Sequence, residues 1–206
     1  MVTGYLTDEQ NEQVFPVTYM LLWPINRAEQ SKATVLQSIL EHHAELKYWQ
    51  AIQEPDVQLW LVIPRSERMP DDLQNRIAIE GFVFREFSTL KQWQSTEAEI
   101  VNFVLRELRA NTIDEIVPQI HQQIEAVITR PGCVGCTLAT EVGKPQNLLG
   151  ATYWQDEMAF EDYCEWASQH AWRDIISPLT LQVPLRVLVR RINEVNGNRK
   201  HFEKAN

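Results

Sequence analysis

Long apolar runs, glycine, cysteine and basic charge are all scarce in this 206-residue chain. Its most apolar stretch, VTYMLLW at residues 17–23, falls far short of the roughly 20 residues a membrane-spanning helix needs. The leading residues MVTGYLTDEQNEQ have neither the basic nor the apolar region of a secretory signal. Three cysteines are too few and odd in number for a disulfide framework, and they fit a reducing, cytoplasmic setting. Nineteen Lys and Arg face 28 Asp and Glu, for a net charge of −9. That balance argues against nucleic-acid and anionic-membrane partners, both of which need concentrated basic charge. With seven glycines there is no glycine-rich phosphate loop, and no Ser-His-Asp order or paired acidic motif appears. What remains is an ordinary globular composition, 44 % hydrophobic and 23 % charged, enough for one domain or two small ones.

Periodicity supplies the architecture. Residues 17–23 are β-branched and aromatic and stop at Pro24, as a buried strand does. From Glu29 to about Leu46, apolar residues recur at three- and four-residue steps, which predicts an amphipathic helix with Asn26 as a candidate cap. Strand-like runs at 48–52 and 57–63 flank Glu54-Pro55-Asp56, a hairpin turn signal. Pro70-Asp71-Asp72 opens a short helix that Gly81 ends, and FVFREF at 82–87 makes a fourth strand. The same order then recurs. Residues 100–108 alternate Val101, Phe103 and Leu105 against Asn102, Val104 and Arg106. Thr112 and Glu115 form a capping box for a helix to about Thr129, burying Ile116, Ile120, Ile124 and Ile128. Pro118 is expected early enough in that helix to cost little. Strands at 133–140 and 148–154 follow, separated by a polar loop at 141–147. Asp156 is placed to cap a helix whose inner face carries Phe160, Tyr163, Cys164 and Ala167. Ser177-Pro178 breaks the helical region, residues 185–189 form the last strand, and a polar tail begins at Asn193.

The expected fold is therefore α+β: two ferredoxin-like βαββαβ halves, residues 1–92 and 93–206, whose sheets pack into one barrel-like body. Packing the two sheets together covers faces that each half alone would leave open.

The stretch from 131 to 172 concentrates groups able to do chemistry. Trp154 ends a strand just before a helix, where it could line a slot or simply fill a core. His170 brings an imidazole, the side-chain type suited to general-base work, although a histidine near a helix end is also favoured by the dipole. Asn102 and Arg106 project from one strand face and could hold an oxyanion, or meet polar surface. Tyr153, next to Trp154, points the other way. Cys133-Val134-Gly135-Cys136 is a C-x-x-C without the second ligand pair a structural zinc needs. Residues three apart on a regular strand face opposite ways, so the spacing reads as chance. His42 and His43 diverge around a helix and form no metal pair.

Residues 98–190 resemble the antibiotic-biosynthesis-monooxygenase family of the dimeric α+β barrel superfamily. The likeness rests on a helix leading into Pro131-Gly132-Cys133, then Ala151-Thr152-Tyr153-Trp154, Ala159-Phe160, Ser168-Gln169-His170 and Trp172. Residues 16–90 follow by topology alone, so the chain looks like a fused version of the family's usual homodimer; further self-association is left open. The resemblance implies a cofactor- and metal-independent oxygenase in which a deprotonated small aromatic phenol or quinol reacts with dioxygen. Trp154, Asn102 and His170 are then the candidate catalytic residues, with Arg106, Tyr153, Phe160 and Tyr163 against the substrate. The haem-degrading branch carries a histidine about seven positions after the helix serine, where this chain has Ile175, so haem degradation is not expected. The alternative is a non-catalytic barrel that binds a small molecule or serves only as structure.

Overall fold

Strand alternation decides which side chains line the inside of this molecule and which meet its helices. In the strand Ile100–Glu107, Val101 and Phe103 join an inner apolar cluster, while Ile100 packs outward beneath helices. The computed structural model describes residues 17–24, 30–53, 56–66, 69–90, 98–109, 113–170 and 176–191. Its first half runs β1 (Val17–Pro24), α1 (Gln30–His43), β2 (Ala44–Ala51), β3 (Val57–Pro64), α2 (Asp71–Glu80) and β4 (Phe82–Leu90). The second runs β5 (Ile100–Glu107), α3 (Ile113–Ile128), β6 (Cys133–Glu141), β7 (Lys144–Trp154), α4 (Glu157–Ser168), a 3₁₀ turn (Ser177–Leu179) and β8 (Leu185–Arg191).

All strand pairings are antiparallel, and they close a barrel in the order β1-β3-β2-β8-β5-β7-β6-β4. Each half contributes the ferredoxin-like order fourth-first-third-second. The halves join through two equivalent seams, β2 to β8 and β4 to β6. Closure leaves no strand edge unpaired, which removes the usual template for aggregation. The inner cluster mixes both halves, with Trp49 of β2 edge-on to Phe103 of β5 at 6.4 Å. Two outer clusters lie under the helices: Leu36, Leu40, Leu73 and Ile77 cover the first half, and Ile116, Ile120, Ile124 and Val127 cover the second.

Several boundaries move. Helix α1 ends at His43, and Ala44, read as its continuation, is the first residue of β2. The expected polar loop at 141–147 shrinks to Val142-Gly143 because Gly143 adopts φ 79°, and β7 begins at Lys144. Pro118 is the sixth residue of α3, past the first turn, so the helix gives up one interior amide there; the ring lies exposed. Cys164, expected on the inner face of α4, is exposed. Asn26, Glu54, Pro55, Thr112, Trp172, Ile175 and the tail from Asn193 lie outside the described residues.

The reading of Cys133 and Cys136 as facing opposite ways is also corrected. A bulge in β6 sets Cys133 opposite Trp154 and Gly135 opposite Tyr153, leaving Val134 as the extra residue. One inserted residue flips the parity of a strand. Both sulfurs therefore point to the helix side, 3.9 Å apart.

Candidate functional site

A small molecule needs space, and the barrel interior has almost none. Its void of about 10 Å³, lined by Met20, Leu59, Phe103 and Leu149 among others, is hardly large enough for one water. A shallow groove of about 360 Å³ by His43, Met69 and Pro70 carries no Phe, Tyr or Trp. The outer sheet faces differ more usefully. Leu73 and Ile77 seal α2 onto the first half, whereas its counterpart α4 has no fully buried residue at all. Under α4, on β5, β7 and β8, lies the candidate site.

Helix α4 is fixed firmly at its start. Gly132 holds φ 74°, and its backbone comes so close to Ala159 that a Cβ there would sit 2.3 Å from the alanine Cβ. The Gln155 amide donates to the Gly132 carbonyl at 2.8 Å. Asp156 caps the helix, its carboxylate accepting from the Ala159 amide at 2.8 Å. Arg190 of β8 then pairs with Glu157 at the first turn and with Glu99 at 3.5 Å.

Beyond that anchor, α4 is held by rings. Trp154, fully buried, lies 4.7 Å from Tyr163 at 25° between planes and 6.1 Å from Phe160. Its indole donates to Thr152 Oγ1 at 3.0 Å, which fixes the ring against the sheet. The stack continues from Tyr163 to Trp166 at 6.2 Å and from Trp166 to His170 at 4.3 Å. Arg130 sits over the Trp166 ring at 4.8 Å.

Beneath Tyr163, the sheet presents positive charge. Asn102, paired with Thr152, and Arg106, paired with Leu148, point to this face, and Arg186 reaches it from β8. Gly150 lies directly beside the Arg106 guanidinium, where an added Cβ would make an ordinary contact with Nη1 at 3.5 Å. Burial, with Arg186 as a second cause, lowers the Arg106 pKa to about 10. Burial likewise raises the Tyr163 hydroxyl, although Arg186 and Arg106 pull it down. Neither arginine has a carboxylate within ion-pair distance among the described residues. A buried guanidinium normally has an acceptor; Arg106 has no carboxylate in ion-pair distance among the described residues, and the exposed Arg186 adds a second positive charge beside it.

The structure brings Trp154, Phe160, Tyr163, Asn102 and Arg106 to one face of the second half. It does not bring His170 or Tyr153 against them. His170 is exposed at the end of α4, with Nδ1 donating to the Trp166 carbonyl at 2.7 Å, and two rings separate it from Trp154. Tyr153 belongs to the barrel's inner cluster. Arg186, Gly150 and Thr152 were missed as site residues. Arg186 was legible, because in the run 185–189 it falls between inward Leu185 and Val187.

No protein-family profile and no curated protein sequence matches the chain. Solved structures do. An anthrone oxidase-like protein superposes with a TM-score of 0.66 at 13 % identity, covering 86 % of this chain and 92 % of its own. A Listeria monocytogenes ferredoxin-fold protein related to antibiotic biosynthesis monooxygenases gives 0.60 at 13 % identity, with 89 % and 100 % covered. A haem-degrading enzyme from Listeria monocytogenes gives 0.57 at 12 %, with 85 % and 99 % covered. The chain is a tandem ferredoxin-like α+β barrel. Its fold is that of the antibiotic-biosynthesis-monooxygenase-like proteins, in both halves, since each match spans more of the chain than either half contains.

Proposed function

We propose that the chain binds a small aromatic anion between α4 and the sheet, and that it oxygenates a phenol- or quinol-like substrate there without a cofactor. The observation that carries the reading is Arg106, a buried guanidinium beside Arg186 with no carboxylate in ion-pair distance among the described residues. An aromatic ring stacks in the Phe160–Tyr163 layer, its oxyanion held by the two guanidinium groups and by the Asn102 amide. The buried Arg106, with the exposed Arg186 beside it, stabilises a phenolate over its phenol, which lowers the substrate's pKa. Solvent water takes the proton, because His170 stands exposed at the far end of α4 with two rings between it and Trp154. The electron-rich anion transfers an electron to dioxygen, and recombination at carbon forms a hydroperoxide. Loss of water then leaves a carbonyl, so a methylene plus dioxygen gives a ketone plus water.

The complete burial of Trp154 favours a second reading, binding without turnover. A ligand reaching that indole must first displace Tyr163.

Oxygen uptake by the metal-free protein against anthrones, naphthols and quinols tests the first reading. Uptake is expected in the wild type and lost in Arg106→Met and Trp154→Phe. Tight binding of the same compounds with no uptake would overturn catalysis and leave the second reading. Binding is tested with 2-naphthalenesulfonate, an aromatic anion at every working pH. Arg106→Met should weaken it by about ten- to a hundredfold, the worth of one charged hydrogen bond.

A further inference from the structure

We infer that Cys133 and Cys136 are a two-electron dithiol/disulfide couple set in the wall behind Trp154. Chance spacing on a strand would send the two side chains to opposite faces. Here the β6 bulge turns both to the same side, with Sγ 3.9 Å from Sγ. A disulfide needs about 2.05 Å, so the pair closes by a shift of less than one atom's width in a strand whose bulge already departs from regular pairing. Both residues are buried, at 3 % and 0 % exposure, which shields them from large thiols and leaves small peroxides as the fitting oxidant. Among the described residues, α4 is loosely packed beside the pair, none of its residues being fully buried, and that side offers a small peroxide a way in. Zinc is a poor competitor, because no group of three or more His, Cys, Asp or Glu suited to a metal occurs among the described residues.

The chemistry balances with hydrogen peroxide. One sulfur, as thiolate, attacks a peroxide oxygen; an S–O bond forms, the O–O bond breaks, and hydroxide leaves and takes up a proton to become water. The second sulfur displaces the sulfenic hydroxyl; the S–S bond forms, the S–O bond breaks, and a second water leaves. Two sulfurs lose one electron each, and the two peroxide oxygens gain them. A small dithiol reverses the step by exchange.

The couple is wired to the slot through the β6–β7 ladder. Cys133 lies opposite Trp154, and Cys136 lies opposite Thr152, whose hydroxyl holds the Trp154 indole. Drawing the sulfurs together pulls on the backbone at both ends of that hydrogen bond. This coupling rests on the anion site proposed above; the couple itself does not.

The test uses the full chain carrying Cys164→Ser, which removes the exposed thiol and leaves the two buried ones. After treatment with hydrogen peroxide, the protein is denatured, alkylated and weighed. The expected result is loss of both alkylatable thiols together and a mass lower by two hydrogen atoms. A Cys133–Cys136 link should appear within one chain and disappear on dithiothreitol treatment. Two thiols still alkylatable, oxygen adducts on single cysteines, or links between chains would each overturn the couple. For the coupling, 2-naphthalenesulfonate should bind with at least about a threefold difference between reduced and oxidised forms. Equal affinities would overturn the coupling. A reduced protein that binds no probe would instead sink the anion site and leave the thiol count standing.

Discussion

At the scale of single residues, two positions separate what folding requires from what function requires. Gly132 serves the fold. It sits at φ 74° with the Ala159 Cβ in the way of any side chain, so Gly132→Ala combines left-handed backbone strain with an overpacked helix start. Strain of about 1–2 kcal/mol and overpacking of about 1–3 kcal/mol should lower stability measurably in urea, whereas Gly143→Ala, with nothing within 4 Å, pays the strain alone. Equal losses for the two would show that the Ala159 contact carries no weight. Arg106 does the opposite. Burial lowers its folded pKa to about 10, below the ordinary guanidinium range, so at neutral pH the buried cation destabilises the fold, and that penalty fades as pH rises through about 10. Arg106→Met should therefore be more stable than the wild type by about 1–3 kcal/mol near pH 7, with the gap narrowing above pH 10 as the wild-type guanidinium loses its proton. Naphthalenesulfonate affinity should be flat below that pH and fall above it. An Arg106→Met protein less stable than wild type would mean the guanidinium has a structural partner and the slot is no anion site.

At the scale of elements, α4 stands apart from α1, α2 and α3 because it is anchored at one end and held by rings along the rest. Asp156→Ala removes the carboxylate that accepts from the Ala159 amide, worth about 1 kcal/mol. Because α4 lacks a buried residue, the loss should appear locally: amide exchange across 159–168 should quicken several-fold while α3 is unchanged. Uniform quickening would show that α4 unfolds only with the whole and cannot admit a ligand by itself. The cap was legible from Asp156 before a helical pattern, as were the elements themselves, because alternation in β5 and four-residue steps in α3 are long signals. Faces were legible too: Tyr153 opposite Trp154, and Asn102 with Arg106, follow from a period of two. What could not be read was anything set by one residue of slippage. The β6 bulge reverses the relation of Cys133 to Cys136, and Gly143 shortens a seven-residue loop to a two-residue turn. The exposure of Cys164 and the gap between Trp154 and His170 depend on how α4 rolls on the sheet, and sequence spacing does not specify that roll.

At the scale of the whole molecule, closure of the barrel makes each half depend on the other. The first half alone would have the order β4-β1-β3-β2, with both seam strands, β4 and β2, stripped of their partners β6 and β8. It would also expose the inner face, where Met20, Trp49, Leu59, Leu61 and Phe84 pack against the second half's Val101, Phe103 and Tyr153. Open edges beside an apolar face are a template for pairing. Because the two halves have the same strand order and use equivalent seams, a second copy of residues 1–92 offers the nearest substitute for the missing half. The proposed boundary near residue 92 thus predicts that the 1–92 fragment will run as a dimer or larger species in size-exclusion chromatography with light scattering. It should exchange its own copy for residues 93–206 when the two are mixed, giving a one-to-one complex, since only the true partner supplies Phe103 to meet Trp49. A fragment that stays monomeric and folded would show that the inner face is not what binds the halves together. Self-association without any exchange would place the specificity of the barrel in chain connectivity rather than in the packing of its core.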